Sequence, residues 1–398
     1  MLITNISSPS KKPAEAALLT LGFRPFFMGA GIFAIVSISV WMAVYLLHVS
    51  LPLTTVSASQ WHAHEMIYGY GLAVIAGFLL TAVKNWTGIQ TLHGKPLLGL
   101  FSIWVLARLL MLCGTEFVQY AALADLLFGL WLMVAVVGPI IKAKQWKQMA
   151  VLSKLIIVVA GNSLFYLGAL GYMDDGVHLS LYGGLYITIS LIMVFGRRVI
   201  PFFIERGVTE KVSLRQHQWL DIAILIFFVI FFVNELFVHK QSVTTTAAGV
   251  LFLLNSYRLH NWHTPGIWQA PLLWGLYVSS WLINLGFLLL ALQASLAIPV
   301  ILTVHLFTIG GIGLMTLSMM SRVSLGHTGR NIKQPSAWLA YALMALVASV
   351  IFRMGLPLLD MTHYFWWLTI AYACWLVAFT LFLSIYLPIL LKPNINGG

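Results

Sequence analysis

The chain has 398 residues, of which 60% are hydrophobic. Only 8% are charged, whereas a soluble chain usually carries about 25% charged residues. This composition excludes a soluble globular, a disordered, a collagen-like and a disulfide-stapled protein, and it predicts a membrane protein. The net charge of +11 does not require a nucleic-acid partner, because basic residues in short loops set the orientation of membrane proteins.

Apolar segments of about 20 residues follow one another along the chain, and each is long enough to cross a hydrocarbon core of about 30 Å. They predict an all-α polytopic membrane protein with about twelve transmembrane helices and both termini in the cytoplasm. A single membrane domain over 25–390 would lie between a cytoplasmic segment, 1–24, and a cytoplasmic tail, 391–398. The longest polar connection, from Arg197 to Gln218, is too short for another domain, and no cleavable signal peptide is expected. The predicted spans are 26–47, 64–83, 96–113, 118–141, 151–171, 179–196, 219–238, 244–259, 272–292, 297–320, 337–355 and 364–388.

The placement of lysine and arginine supports this topology. Of the 22 basic residues, Lys240 and Arg353 are assigned to the outer side and Arg108 to the interior of a span. The other nineteen fall on the side that would be cytoplasmic, as positively charged loops do.

Ionisable residues inside a span are costly and are candidates for function. Arg108 lies near the outer end of the third span, and Asp125 lies at a similar depth in the fourth. We predict that they pair, and a structural bridge is favoured over a proton relay because partners on adjacent helices satisfy each other. Asn162 and Asn255 are expected to form hydrogen bonds between helices.

Histidines mark the outer half of the predicted membrane domain. His62 and His64, followed by Glu65, stand at the mouth of the second span, and residues two apart on a helix diverge by about 200°. They would therefore face two different sites, or one would be a metal ligand and the other a donor behind it. His305 lies about 12 Å inside the tenth span. Its partner would be a metal, a haem iron or a carbonyl of a neighbouring helix.

Further candidates lie on the inner side. The spacing of His260 and His263 would place both on one helical face, where they could hold a metal or form an interfacial cluster. His327 lies between glycines close to Arg322 and Arg330, a combination suited to an anionic group such as a haem propionate. The adjacent Arg197 and Arg198 could bind an acidic group in the same way or anchor a helix end.

Five motifs, in order and in register, resemble the NnrS family from about residue 20 to about residue 390. They are Leu21-Gly22-Phe23-Arg24-Pro25-Phe26-Phe27, His62-Ala63-His64-Glu65-Met66, Ala76 to Val83 followed by Asn85-Trp86, Gly196 to Phe203, and Arg322 to Arg330. The resemblance implies a bacterial inner-membrane protein that binds haem, expected to be b-type, and copper. It also implies a role in the response to nitric oxide and nitrosative stress, and a remote likeness to haem-copper oxidases.

The resemblance also implies site residues. Glu65 would orient an imidazole or carry a proton, and His62, His64 and His305 would be ligands of iron or copper. Tyr166, and Tyr in the segment from Trp274 to Tyr277, stand where many members have histidine, so those positions are not expected to be obligatory ligands. The residues carried over as cofactor-binding are Arg24, His62, His64, Asn85, Trp86, Arg197, Arg198, His305, Arg322, His327 and Arg330.

These features favour a haem/copper protein that acts on or senses nitric oxide, with its metal site between the second and tenth spans. The sequence has no Cys-x-x-Cys-His site for a c-type haem, so turnover would need electrons from a quinol or another donor. Membrane lipid and a small molecule such as nitric oxide are the expected partners. The alternative is a twelve-helix secondary transporter without a redox metal, and a visible spectrum distinguishes the two.

Overall fold

The apolar segments form helices, because in lipid every backbone N–H and C=O must be bonded within its own segment. The computed structural model describes residues 17–395, and within this range it is all-helical, with no strand. Its twelve long helices are α1 Phe23–Leu47, α2 Ala58–Thr87, α3 Gly94–Leu110, α4 Val118–Lys142, α5 Met149–Ala169, α6 Gly176–Gly207, α7 Gln218–Val238, α8 Gln241–Trp262, α9 Pro271–Leu292, α10 Val300–Gly326, α11 Trp338–Leu359 and α12 Tyr364–Leu391.

Among the described residues, ten of these helices are long and apolar enough to cross a membrane. The class of polytopic membrane protein is therefore confirmed. Helix α3 has 17 residues, or roughly 26 Å at 1.5 Å per residue, slightly less than the hydrocarbon thickness. Helix α8 carries several polar side chains, among them Asn255 and Arg258. Twelve crossings, and the cytoplasmic location of both termini, remain predictions.

Some helix ends differ from the predicted ones. Helix α2 begins at Ala58 because Ser57 forms a capping box with Gln60: the Ser57 hydroxyl accepts from the Gln60 N–H, and the Gln60 side chain accepts from the Ser57 N–H. Helix α6 continues to Gly207, so the predicted polar connection from Arg197 to Gln218 is wrong over its first half. Hydropathy marks the edge of the bilayer, whereas helical hydrogen bonds persist beyond it. Residues 1–16 and 396–398 of the predicted terminal segments lie outside the described residues.

Helices α2 and α10 are the most buried of the ten candidate spans. Helix α2 packs against α1, α4 and α6, and α10 packs against α6, α9 and α12. Each contains a π-helical segment, Glu65–Gly71 in α2 and Leu306–Gly313 in α10, directly after a histidine. Because π segments inside α-helices are frequent at functional sites, these two helices are the first place to search for one.

The inner end of the bundle is held together by Arg24. Its guanidinium is 2% exposed and donates from Nη1 to the carbonyls of Leu390 at 2.8 Å and Lys392 at 2.6 Å. These are orphan carbonyls at the end of α12, which need a donor from outside the helix. The start of α1 and the end of α12 therefore lie at the same end of the molecule.

Candidate functional site

His62 and His64 point to opposite sides of α2, as their spacing predicts. The His62 ring stacks on Trp41 of α1, with centroids 4.7 Å apart and planes at 12°. The His64 ring stacks on Phe165 of α5, with centroids 4.0 Å apart. The two histidines therefore belong to different environments.

Arg108 pairs with Asp125, which confirms the predicted bridge between α3 and α4. The same guanidinium also donates from Nη1 to Glu65 Oε1 at 2.7 Å, and the Tyr166 hydroxyl donates to Asp125 Oδ2 at 2.6 Å. Arg108 is 4% exposed, and Glu65 and Asp125 are each 1% exposed. One buried cation thus bridges two buried carboxylates.

His64 completes this group. Its Nδ1 lies 2.9 Å from Glu65 Oε1, and its Nε2 lies 2.9 Å from Asn162 Oδ1. With the Asn162 amide in this orientation, both ring nitrogens face oxygen atoms. We call the six residues the His64 network: His64, Glu65, Arg108, Asp125, Asn162 and Tyr166.

The network bears on three predictions. The Asn162 amide bonds to another helix, as predicted. Glu65, which was expected to orient an imidazole or carry a proton, contacts the imidazole of His64. Neither ring nitrogen of His64 is free, so a metal would have to displace Glu65 or Asn162 to use it. A site shared by His64 and His305 does not match this geometry, because His64 faces α4 and α5.

His62 and His305 both lie near Arg353. The His305 Nδ1–H donates to the carbonyl of Ile301 at 2.8 Å, and its Nε2 lies 3.4 Å from Nη2 of Arg353. The charge of Arg353 lies close enough to act on both imidazoles. Trp41, on which His62 stacks, donates from Nε1 to the Tyr372 hydroxyl at 2.6 Å. The Tyr364 ring lies 5.5 Å from the guanidinium carbon of Arg353. We call this group the Arg353 cluster: Trp41, His62, His305, Arg353, Tyr364 and Tyr372.

Sequence reasoning missed Arg353. It was assigned to an outer loop, and the loop position is wrong: Arg353 lies in the π segment Ile351–Gly355 of α11 and is 5% exposed. The signal was present, because Arg353 falls inside the predicted span 337–355. The rule that identified Arg108, that a charge inside a span is a candidate site, identifies it as well.

The inner arginines of α6 are already partnered. Arg197 Nη1 donates to Asp221 Oδ2 at 2.7 Å, and Arg258 Nη2 donates to Asp221 Oδ1 at 2.5 Å. Arg198 donates to the side-chain oxygen of Gln148 at 3.2 Å. These contacts join α5, α6, α7 and α8 on the side predicted to be cytoplasmic, which supports the anchoring alternative for this pair.

The other inner candidates are spread over the same end. Arg322 stacks on Phe203 of α6, with its guanidinium carbon 3.7 Å from the ring centroid. His327 follows the last residue of α10 and packs on Phe23 at 5.8 Å, while Arg330 donates to the Thr328 carbonyl at 3.4 Å. Burial lowers the pKa of His327, and Lys84 lowers it further. Its imidazole is therefore neutral at pH 7 and offers an anion one hydrogen bond rather than a charge.

His260 and His263 do not share the helical face that their spacing predicted, because the helix ends between them. Helix α8 stops at Trp262, and His263 adopts extended backbone. Both histidines are exposed, and Trp268 Nε1 donates to His263 Nε2 at 3.3 Å. At the end of α2, Asn85 is exposed, and Trp86 stacks on Phe195 with centroids 6.1 Å apart.

Within residues 17–395, no three His, Cys, Asp or Glu side chains are grouped as a metal site. The fold and the two buried clusters define a class: a polytopic membrane protein with ionisable groups enclosed between its helices. The family profile described as NnrS protein matches residues 17–394, nearly the whole chain, and the chain therefore belongs to the NnrS family. A search of curated proteins gave no significant match.

Proposed function

We propose that this protein binds haem and copper in a bacterial inner membrane and handles nitric oxide there, with His62 and His305 as imidazole ligands of iron or copper. The observation that carries the proposal is the position of these two histidines near the same buried arginine, Arg353, on the two most buried candidate spans. Family membership supports the choice of cofactors and of nitric oxide.

The donor set fits such metals. Because the Nδ1–H of His305 is held by the Ile301 carbonyl, Nε2 carries the lone pair, the usual arrangement of a ligating histidine. A metal at Nε2 would replace its long 3.4 Å contact with Arg353 Nη2. His62 Nδ1 is buried and has no hydrogen-bond partner among the described residues. Imidazole nitrogen suits both iron and copper. Either metal, when bound, would supply a coordination position for nitric oxide.

The surrounding residues would orient the His62 ring and hold protons near the cluster. Trp41 holds the His62 ring flat against its own, and Tyr372 holds Trp41 in turn. Nitric oxide is small and apolar, so it would reach the cluster through lipid without a polar channel. Glu65 and the His64 network, one turn along α2, would hold protons in the same half of the membrane. If the protein reduces nitric oxide, the electrons would come from a quinol or another donor.

The test is the metal content of the protein purified in detergent, measured by visible spectrum and by iron and copper assay. His62→Ala and His305→Ala are each expected to lower bound metal by more than the roughly 10- to 100-fold loss of affinity typical of an outer-shell change. His363→Ala is the matched control, because His363 is exposed and pairs only with Asp360 among the described residues. It is expected to leave the metal content unchanged.

Two outcomes would contradict the proposal. A folded, colourless and metal-free wild type would favour a transporter without a redox metal. Unchanged metal content in both variants, with a loss in His260→Ala or His263→Ala, would move the site to the inner side.

A further inference from the structure

Arg353 is a buried guanidinium that pairs with no carboxylate within residues 17–395. Its Nε and Nη1 atoms are buried and have no hydrogen-bond partner among the described residues. Its contacts there are the 3.4 Å approach of Nη2 to His305 and the ring of Tyr364. Arg108 and Arg258, which are buried to a similar degree, pair with carboxylates.

Such a group is expensive to maintain. Arginine remains charged in proteins, and a charge in a membrane interior is normally paired or marks a functional path. The Arg353 cluster offers no acid: its members are two histidines, two tyrosines, a tryptophan and the arginine itself. The nearby carboxylates are already in use, Glu65 by Arg108 and Asp360 by His363. Since no carboxylate within residues 17–395 forms an ion pair with Arg353, a bound ligand is the candidate source of the missing negative charge.

We propose that Arg353 binds a singly charged carboxylate or a small oxyanion of similar shape, through a pair of N–H groups on one edge of the guanidinium, in which the unpartnered Nε or Nη1 acts together with the second N–H of Nη2. His62, whose Nδ1 is buried and has no partner among the described residues, lies within electrostatic range of Arg353 and is a candidate second contact of this ligand. A guanidinium donates to two oxygens at once, which makes carboxylate and nitrite better matches than a spherical ion. The anion has two possible sources, a free small anion or an acidic side chain of a bound cofactor.

This inference does not depend on a metal, although it is compatible with one. A metal cation held by His62 and His305 would be repelled by the guanidinium that acts on both imidazoles. A negative group between the metal and the arginine removes this repulsion. The unpaired charge of Arg353 favours a bound anion whether or not a metal is present. The anion proposal and the metal proposal can therefore fail separately.

The experiment measures the thermal unfolding midpoint of the full-length protein in detergent, with sodium formate or nitrite added at constant ionic strength. Wild type is expected to gain roughly 3–6 °C at an anion concentration about 100 times its dissociation constant. Arg353→Gln is expected to lose this gain, and Arg353→Lys to keep part of it. The matched control is Arg206→Gln, which removes an exposed arginine at the inner end of α6 and should respond like wild type.

A second reading separates the two sources. If the anion is a carboxylate of a bound cofactor, wild type does not respond to added formate or nitrite, and Arg353→Gln instead loses cofactor or shifts its visible bands while Arg353→Lys retains them. The proposal is overturned if wild type does not respond to anions and Arg353→Gln changes neither the cofactor content nor the spectrum.

Arg353→Met replaces Arg353→Gln in these measurements if Arg353→Gln folds poorly. If no anion binds, removing the unpaired buried charge of Arg353 should raise the unfolding midpoint. A higher midpoint of the Arg353 variants in anion-free buffer, together with a wild type that does not respond to anions, would therefore also overturn the proposal.

Discussion

Replacing Arg108 by methionine is expected to destabilise the protein by about 3–5 kcal/mol, the usual cost of removing one partner of a buried ion pair. Methionine keeps much of the side-chain volume but removes the guanidinium that both Glu65 and Asp125 contact. The measurement is thermal or denaturant unfolding in detergent, with the yield of monodisperse protein as a second reading.

Two further variants test this prediction, because Arg108 contacts both carboxylates of the His64 network, whereas Asp125 is only one of its two acidic partners. Asp125→Asn should cost less than Arg108→Met, because Arg108 keeps Glu65 as a partner. The double variant Arg108→Met with Asp125→Asn should recover part of the loss, since Glu65 then remains opposite His64 alone. Equal losses in the two single variants, with strictly additive effects in the double, would mean that these charges do not interact.

The second large effect is expected at Gly168, where α5 crosses α6. A Cβ at Gly168 would lie 2.5 Å from the backbone nitrogen of Val177 and 2.9 Å from its side chain. Since backbone cannot rotate away as a side chain does, Gly168→Ala should force the two helices apart. We expect a loss of about 3 kcal/mol, at the upper end of ordinary overpacking, in the same unfolding assay.

Gly249→Ala in α8 is the matched control. A Cβ there would meet only the Ala291 Cβ at 3.8 Å, an ordinary contact. Alanine is also the better helix former, so this variant should be neutral or slightly stabilising, by up to about 1 kcal/mol. If Gly168→Ala behaved in the same way, the close crossing of α5 and α6 would be wrong.

Several residues were predictable because the argument needed only helix geometry and charge. The opposite directions of His62 and His64 follow from 100° per residue, whichever helices surround them. The pairing of Arg108 with Asp125 follows from their equal depth on consecutive helices. The same reasoning could have identified Arg353 as a buried charge. It did not, because Arg353 lies near the end of a predicted span and was assigned to the outer loop beyond it.

Other features depend on contacts between distant parts of the chain. Glu65 joins Arg108 at a separation of 43 residues, and Arg24 reaches the carbonyl of Leu390 at a separation of 366. The inner arginines illustrate the limit of a charge pattern. Arg197 was a candidate for a cofactor acid, yet Asp221 already accepts from it, and no spacing in the sequence indicates that α6 and α7 would bring these two together.

The sequence by itself determined that this is a polytopic helical membrane protein, where its predicted spans lie, and that it belongs to the NnrS family. Those conclusions rest on composition, on the length of apolar segments and on local motifs, which are properties of neighbouring residues. Only the tertiary structure decided that His64 joins Arg108 and its two carboxylates, whereas His62 joins His305 and Arg353. The reason is physical: hydropathy gives the depth of a side chain in the membrane, but which helices face one another is set by packing, and packing decides which buried charge is satisfied and which is left for a ligand.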